Sequence, residues 1–388
     1  MNWKLQVCTQ YSLLFAGHRR ISCRPSIFSH SNTVVNPLSK SAQYQSTMAA
    51  KYPQRKIGDD SVSALGLGCM GMSYAYASSG FDDEESYRVL TRAADAGVTF
   101  WDTADMYGPF TNEKLLGKWF AETGRRNEIF LATKFANKFV DGKVIVDGTP
   151  EYVKAACNAS LERLQTDHID LYYQHRVDPK TPIEYTVKAM AELKAEGKIR
   201  YLGLSECSER TLRRAYAVHP IAAIQMEYSP FALQIESSQT NLLQAARELG
   251  VKVVAYSPLG RGFLTGSITR RDQIDPKDSR SIMPRFSEEN FGDNLKLVQL
   301  LVSVAKEKGC TPGQLAIAWL LAQGDDIIPI PGTKRVKYLE ENIASVNVTL
   351  TKEEESRIRQ AIDSVGGSKG ERYAPAVVHT LFGDSPEL

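Results

Sequence analysis

Residues 99–107 read TFWDTADMY, residues 129–134 read IFLATK, and residues 169–175 read IDLYYQH. Each stretch begins as a short apolar run of the kind that forms a buried β-strand. Four polar side chains stand at or just past the ends of these runs, namely Asp102, Tyr107, Lys134 and His175. Core packing gives no reason for an acid, a phenol, an amine and an imidazole at such positions. The placement is typical of barrel strands that open into an active site.

Outward from these runs, short β-type stretches alternate with helical patterns along the chain. We predict eight strands, at residues 65–70, 100–104, 129–134, 169–175, 201–206, 223–228, 252–258 and 326–332. Strands that alternate with helices indicate βα units and a parallel sheet. Eight such units predict an α/β fold that closes as a (β/α)8 TIM barrel, with an open doubly wound sheet as the alternative.

Two regions depart from this alternation. Residues 259–292, after the seventh strand, are too long for a simple loop, and we expect them to fold over a ligand rather than to form a disordered insertion. After the eighth strand, residues 336–346 and 351–364 carry two helical patterns, which predict an extra helix at the C-terminal end of the barrel. The tail from Gly366 either lines a pocket or trails from the domain.

The composition excludes several classes of protein. With 43% hydrophobic and 24% charged residues among 388, the chain resembles an ordinary soluble globular protein. Beyond residue 47 it carries 42 basic and 45 acidic residues, which gives no electrostatic footprint for nucleic acid. The six cysteines are scattered without a CxxC pair, so we expect neither a disulfide framework nor a metal site.

Residues 1–47 are rich in Ser and Arg and lack acids, which is typical of a mitochondrial transit peptide. Their apolar patch YSLLFAG is too short to span a bilayer, so we expect no membrane anchor. The alternative is a disordered extension, with translation beginning at Met48. In both cases residues 48–388 are expected to form a single domain. We expect a cytoplasmic protein, or a mitochondrial one if residues 1–47 act as a transit peptide.

The four polar residues suggest acid catalysis. Tyr107 ordinarily has a pKa near 10, and a nearby Lys134 ammonium is expected to lower that pKa by up to about 3, which makes the phenol a usable proton donor. Asp102 is expected to keep Lys134 charged, and His175 to donate a hydrogen bond to a substrate oxygen. Because none of the four is a hydride donor or an evident nucleophile, the attacking group must come from a cofactor.

Gly66, Gly68 and Gly71 spell GxGxxG, the pattern of a dinucleotide-binding Rossmann loop. That loop requires a helix to begin at the third glycine, yet SYAYASSG separates Gly71 from the next acidic helix start. We therefore interpret the three glycines as the end of the first barrel strand, with Met70 bordering the cofactor.

The motifs DTADMYG, LATK and LYYQH are followed in order by GLSE, IQMEYSP, AYSPLGRG, IPIPGTK and LEEN. In this order they resemble the aldo-keto reductases over about residues 57–365, and GLGCMGMS, GLSE and IPGTK look most like the branch of small carbonyl reductases from fungi, plants and bacteria. The resemblance implies a (β/α)8 barrel that binds extended NADPH without a Rossmann domain. It also implies that the four opening residues form a catalytic tetrad in which Tyr107 gives a proton to the carbonyl of an aldehyde or ketone.

The resemblance further implies the cofactor-binding residues. Gln225 and Ser205 correspond to positions that bind the nicotinamide carboxamide, and Tyr256 to the aromatic residue that stacks on the ring. The segment Ser257, Pro258, Leu259, Gly260 and Arg261 corresponds to a loop over the pyrophosphate. The remaining implied contacts are Gly332, Thr333 and Lys334 near the ribose phosphate and Glu341 and Asn342 at the adenine.

Two regions depart from the pattern of the best-known members. Glu206 stands where many have Asn, which weakens the assignment of carboxamide recognition there. The stretch Gly332, Thr333, Lys334 and Arg335 stands where those members place Lys-Ser and a later Arg, and Tyr338 occupies the place of that later Arg. Because either cation is able to pair with a 2′-phosphate, we expect NADPH rather than NADH.

Two other functions stay open from the sequence. One is a nucleotide-binding, redox-sensing regulatory subunit of the same fold, as in family members that attach to potassium channels. The other is a barrel aldolase or isomerase that forms a Schiff base on Lys134. The substrate depends on loops at residues 73–82, 176–181 and 259–292 and on the tail, so its identity and the oligomeric state cannot be predicted.

Overall fold

The computed structural model describes residues 52–74, 80–141 and 143–388. The expectations for residues 1–47 therefore lie outside the described residues. The strands of the described part are β1 Gln54–Ile57, β2 Asp60–Ser63, β3 Leu67–Gly68, β4 Phe100–Asp102, β5 Phe130–Phe135, β6 Asn137–Val140, β7 Lys143–Val146, β8 Ile169–Gln174, β9 Ile199–Ser205, β10 Ala223–Glu227, β11 Lys252–Tyr256 and β12 Ile327–Pro329.

The α-helices of the same residues follow the strands in the expected alternation. They are α1 Asp83–Asp95, α2 Thr111–Thr123, α3 Pro150–Leu164, α4 Ile183–Ala195, α5 Glu209–Val218, α6 Leu242–Glu248, α7 Glu288–Lys308, α8 Pro312–Ala322, α9 Val336–Ala344, α10 Lys352–Ser364 and α11 Pro375–Val378.

Eight of the strands form one parallel sheet, in the order β12, β11, β10, β9, β8, β5, β4, β3. Its two edges meet, because Gly68 forms a parallel bridge with Gly332 and the Gly66 N–H donates to the Pro329 carbonyl at 2.9 Å. The predicted (β/α)8 barrel is confirmed, and the open doubly wound sheet is excluded.

This closure explains the GxGxxG pattern. A Cβ atom on Gly68 would lie 2.8 Å from the Ile330 carbonyl oxygen, and one on Gly66 would lie 2.9 Å from that of Phe100. The two glycines therefore let neighbouring backbones approach at the barrel seam. A short 3-10 helix, Met70–Met72, comes next, no long helix begins at Gly71 among the described residues, and α1 begins at Asp83, so the Rossmann alternative is wrong.

Alternation along the strands separates two layers of the core. Phe100, Ala132, Leu171, Ala223 and Val254 belong to a cluster inside the barrel. Their neighbours in sequence pack outward against the helices in a larger second cluster. The inner cluster is closed at the amino ends of the strands by Ile57 and Val62 of the β1–β2 hairpin, which the sequence analysis did not predict.

Capping residues mark the helix boundaries. The Asp82 side chain accepts from the Glu85 N–H before α1, and Gly97 after it has φ +80°. The Thr149 side chain accepts from the Tyr152 N–H at the start of α3, with Pro150 in the first turn. These contacts satisfy backbone groups that the helix ends would otherwise leave without partners.

The long connection after β11 has regular structure and is not a disordered insertion. It contains four 3-10 helices, Gly260–Thr265, Arg271–Gln273, Ser279–Ile282 and Pro284–Phe286, before α7 begins at Glu288. Phe263 and Phe286 are fully buried, and their ring centroids are 5.5 Å apart. The tail also docks, because the Gly383 N–H donates to the Glu206 carbonyl at 2.7 Å.

Candidate active site

The strand alternation that builds the barrel interior also brings polar residues to its carboxyl end. Asp102 lies two positions after Phe100, Lys134 two after Ala132, and Gln225 two after Ala223, so each points into the barrel. The strand register keeps these side chains at similar heights in the barrel. Asp102 pairs with Ala132, which lies two residues before Lys134, and Gln225 pairs with Ser205. One layer of polar side chains therefore lies above an apolar barrel core.

Lys134 is the centre of this layer and is fully buried. Its ammonium nitrogen lies 2.5 Å from the Asp102 Oδ1, 2.8 Å from the Thr103 carbonyl oxygen and 3.4 Å from the Tyr107 hydroxyl. The other Asp102 oxygen accepts from the Gln225 amide at 2.7 Å. The lysine head is thus held in one position, with one donor directed at the phenol.

Burial raises the pKa of Asp102 and lowers the pKa of Lys134, while the contact between the two opposes both shifts. Whichever partner holds the proton, the pair carries no net charge. The two charges partly cancel at a distance, whereas a group within hydrogen-bond reach of Lys134 still receives its N–H.

This neutrality bears on Tyr107, whose side chain is buried beside the pair. Burial and the Asp102 carboxylate raise the pKa of Tyr107 well above 10, with Arg176 opposing. The expectation of a lowered Tyr107 pKa is therefore wrong for the protein without ligands, because burial of the phenolate and the nearby Asp102 carboxylate outweigh the hydrogen bond from Lys134. Tyr107 stays protonated and keeps its proton available for donation.

His175 completes the group from the end of β8. Its ring meets the Tyr107 ring edge-on, with centroids 5.9 Å apart. Its Nδ1 is buried and has no hydrogen-bond partner among the described residues. Burial, together with the charges of Arg176 and Lys134, lowers the His175 pKa well below 6.5. The imidazole is neutral at physiological pH and retains one N–H donor.

The carboxamide positions lie beside this group. The Ser205 hydroxyl is buried and has no partner within the described part of the chain. A buried hydroxyl without a partner costs about 1–3 kcal/mol, so a ligand atom that binds it recovers this energy. Gln225 lies within β10 rather than at its end, and its amide nitrogen is engaged by Asp102.

Glu206 has a different role from the amide expected at its position. Its two carboxylate oxygens accept from Arg372 of the tail at 3.0 and 2.9 Å, and one also accepts from the Tyr256 hydroxyl at 2.8 Å. Burial would raise the Glu206 pKa, but Arg372 lowers it to about 2. The carboxylate is fully committed to these partners, so its side chain recognises no nicotinamide amide in this arrangement.

A second buried acid extends this cluster. Glu227, at the end of β10, lies 3.1 Å from both Arg261 and Arg285 and 3.4 Å from Arg372. We call Glu206, Glu227, Arg261, Arg285 and Arg372 the mouth cluster. The sequence analysis missed Glu227, Arg285 and Arg372. A signal was present, because the acids Glu206 and Glu227 stand at the ends of buried strands and a buried carboxylate needs a cation beside it.

Comparison with known proteins identifies this arrangement. The model of the Aldo/keto reductase family matches residues 64–363. The chain belongs to the aldo/keto reductase family. Aldo-keto reductase str7 of Strobilurus tenacellus is 51% identical over 343 residues, covering 87% of this chain and 98% of the relative. Aldo-keto reductase yakc [NADP(+)] of Schizosaccharomyces pombe is 49% identical over 338 residues, with the same two coverages.

Solved structures agree with this assignment. The glycerol dehydrogenase AKR11B4 from Gluconobacter oxydans has a TM-score of 0.74 at 29% identity, covering 82% of this chain and 97% of that one. The holo form of aldo-keto reductase AKR11C1 from Bacillus halodurans has a TM-score of 0.66 at 29% identity, covering 83% and 98%. The barrel is therefore that of the aldo/keto reductases.

In this aldo/keto reductase, the loop expected over the pyrophosphate has an unusual backbone. Ser257, Gly260 and Arg261 all have positive φ, at +50°, +56° and +58°. The Gly260 N–H donates to the Ser257 carbonyl at 2.9 Å, which folds Pro258 and Leu259 into a tight turn. The Arg261 guanidinium lies 4.5 Å from the Tyr373 ring centroid. The loop is thus joined to both the mouth cluster and the tail.

The residues expected at the ribose and adenine lie on and before α9. Lys334 donates to the Gly80 carbonyl at 2.6 Å, and the Thr333 hydroxyl accepts from the Arg335 N–H at 3.1 Å. A Glu341 oxygen accepts from the Thr311 hydroxyl at 2.6 Å, and Asn342 is buried. Gly332 closes the barrel seam, and Met70 begins the half-buried 3-10 turn on the other side of that seam.

The described residues contain no group of three or more His, Cys, Asp or Glu side chains placed to hold a metal ion. None of their helices has the length and apolar character needed to cross a membrane.

Proposed function

We propose that this protein catalyses the NADPH-dependent reduction of an aldehyde or ketone to the alcohol, with Tyr107 as the proton donor. The observation that supports this most directly is the contact between the buried Lys134 ammonium and the Tyr107 hydroxyl at 3.4 Å, beside a neutral His175. This places donors of the right kind around one point at the carboxyl end of the barrel, where active sites of this fold lie.

NADPH fits the residues present. The partnerless Ser205 hydroxyl is suited to the nicotinamide amide. Lys334 and Arg335 have no carboxylate within 4.0 Å among the described residues, so both are available to a 2′-phosphate. One relative at 49% identity is named as an NADP(+) enzyme. The cofactor supplies a hydride to the carbonyl carbon.

The chain's own residues act on the carbonyl oxygen. Tyr107 and His175 direct hydrogen bonds at this oxygen, which polarises the C=O bond in the ground state. As negative charge develops on the oxygen, Tyr107 transfers its proton, and the neighbouring Lys134 stabilises the phenolate that results. Asp102 holds Lys134 in place, and a proton from solvent later restores the phenol.

The geometry disfavours a Schiff base on Lys134. The nitrogen is fully buried and is held by Asp102 and the Thr103 carbonyl, so it would have to break both contacts before it met a substrate carbonyl. A nucleophilic lysine of this kind needs a free, uncharged nitrogen in the pocket.

Tyr107→Phe tests the proposed proton donor. We expect kcat for aldehyde reduction to fall at least about 10³-fold, while NADPH binding measured by fluorescence titration stays within about threefold. The matched control is Tyr185→Phe on α4, whose side chain is exposed. Near-normal turnover in Tyr107→Phe would refute the assignment.

Exchange of both Lys334 and Arg335 for Ala tests the choice of cofactor. Each charged contact with the 2′-phosphate contributes roughly 1–2 kcal/mol, so we expect the KM for NADPH to rise at least about tenfold. The KM for NADH should change little, because NADH lacks that phosphate. An unchanged NADPH value would show that these two cations do not bind the phosphate.

A further inference from the structure

Arg176 follows His175 directly and lies at the same mouth of the barrel. One terminal nitrogen donates to the His175 carbonyl oxygen at 2.7 Å. The guanidinium carbon lies 5.9 Å from the ring centroid of Tyr373, whose hydroxyl is 3.2 Å from that of Tyr256. The guanidinium thus contacts the backbone of His175 on one side and lies near the Tyr373 ring on the other.

No side-chain carboxylate of this chain pairs with Arg176. None lies within 4.0 Å among residues 52–74, 80–141 and 143–388, and the rest of the sequence contains no Asp or Glu. The other three arginines of the mouth, Arg261, Arg285 and Arg372, each contact a glutamate. Arg176 is therefore the exception among these four cations.

The charges at the mouth do not balance. Four arginines face two glutamates, Glu206 and Glu227, so two positive charges remain. Within the described residues, the Arg176 Nε and second terminal nitrogen donate to no acceptor, and neither is fully enclosed. A half-buried guanidinium whose remaining donors have no acceptor attracts an anionic ligand group, above all a planar carboxylate that accepts two hydrogen bonds.

We propose that Arg176 binds a carboxylate on the substrate, so that this reductase prefers aldehydes or ketones that carry a carboxylate over their neutral analogues. This inference rests on the proposed carbonyl reduction and adds a substrate class to it. The carbonyl oxygen lies at Tyr107 and His175, and the carboxylate extends toward Arg176. In this arrangement Arg176 determines specificity and takes no part in proton transfer.

A matched pair of substrates isolates this contact. In 4-carboxybenzaldehyde and methyl 4-formylbenzoate the aldehyde and ring are the same, and only the charge differs. The readout is the ratio of kcat/KM for the acid to kcat/KM for the ester, because general damage to the enzyme cancels in this ratio. We expect the wild-type ratio to be at least about 10, and Arg176→Met to lower it about 30-fold.

Two further variants complete the experiment. Arg176→Lys keeps the charge but loses the paired donors, so its ratio should fall between wild type and Arg176→Met. Arg88→Met, which removes an exposed arginine of α1, should leave the ratio unchanged. Thermal unfolding and NADPH titration of every variant show whether the fold and the cofactor site remain intact.

The outcomes separate the two proposals. An equal ratio in wild type and Arg176→Met overturns the role of Arg176, even when both reduce aldehydes well. If Arg176→Met raises the NADPH dissociation constant and lowers kcat/KM equally for both substrates, Arg176 binds the cofactor phosphates instead. This result also overturns the proposed role of Arg176. If the wild type reduces neither aldehyde, the proposed function fails. Calorimetry with 4-carboxybenzyl alcohol and its methyl ester then tests directly whether the protein prefers the anion. Equal binding of these two alcohols overturns the proposed role of Arg176.

Discussion

The catalytic pair and the mouth cluster are both buried ionic groups at the carboxyl end of the same barrel, yet they are assembled differently. Asp102 and Lys134 come from adjacent strands, where the register places Lys134 two residues beyond Ala132, the partner of Asp102. Glu206 and Arg372 are 166 residues apart and meet only because the tail folds back over the mouth. In the proposed mechanism the first pair serves the reaction, whereas the second attaches the tail and the loop after β11 to the barrel.

The difference shows what each kind of buried charge does. The catalytic pair has no net charge and leaves the Tyr107 pKa high. The mouth cluster carries excess positive charge, which keeps the Glu206 pKa at about 2. Removal of a charge from the first should mainly affect turnover, whereas removal from the second should mainly affect stability.

Lys134→Met should have the largest effect and tests the first half of this comparison. The variant loses the donor that stabilises the Tyr107 phenolate, so we expect kcat/KM to fall about 10³-fold or more, measured by NADPH absorbance. It also leaves Asp102 buried without its cation. Lys138→Met, which breaks a half-exposed pair with Asp147, is the matched control and should change kcat/KM by less than about threefold. Comparable losses in both variants would contradict the role of Lys134.

Arg372→Met tests the second half of the comparison, which concerns the mouth cluster. Because it leaves Glu206 buried without its main cation, we expect the free energy of unfolding to fall by about 3–5 kcal/mol, measured by chemical denaturation. The loss of kcat/KM should be smaller than in Lys134→Met. The double variant Glu206→Gln with Arg372→Met should recover part of the stability, since neither charge is then left alone.

The control for this prediction is Arg357→Met, which breaks an exposed pair with Glu307 and should leave the free energy of unfolding nearly unchanged, because solvent screens that pair. A loss below about 1 kcal/mol in Arg372→Met would show that the tail is not held by this pair.

The smallest predicted effect is a pH dependence of stability. The Glu206 pKa is about 2 in the folded protein against an ordinary 4.5, so its contribution is complete above pH 4.5 and is lost as the pH falls toward 2. Between pH 7 and pH 3 we expect the stability advantage of wild type over Arg372→Met to shrink by about 2 kcal/mol. Carboxylates common to both proteins cancel in this difference. If the stability advantage of wild type did not change with pH, it would not arise from the ionised Glu206.

Much of the site was predictable from particular residues. The TFWDTADMY, IFLATK and IDLYYQH stretches predicted strands that end in polar groups, and the structure brings those groups to one mouth. The Tyr107 pKa was predicted in the wrong direction, since the reasoning about Lys134 and Tyr107 left out the burial of the phenol and the repulsion between its phenolate and Asp102, which both raise this pKa. The hairpins β1–β2 and β6–β7 were missed because their short strands lack the apolar runs of the barrel strands.

The sequence by itself determined the barrel and its polar layer, because alternation along each strand sets which residues face inward, and the helix caps are local. Only the tertiary structure decided the partners of Glu206 and Glu227, the docking of the tail, and the absence of a carboxylate at Arg176. Those features depend on contacts between segments far apart in the chain, for which no local pattern exists. The sequence showed where a charged residue stands along a strand, whereas the fold decided which residue of opposite charge lies beside it.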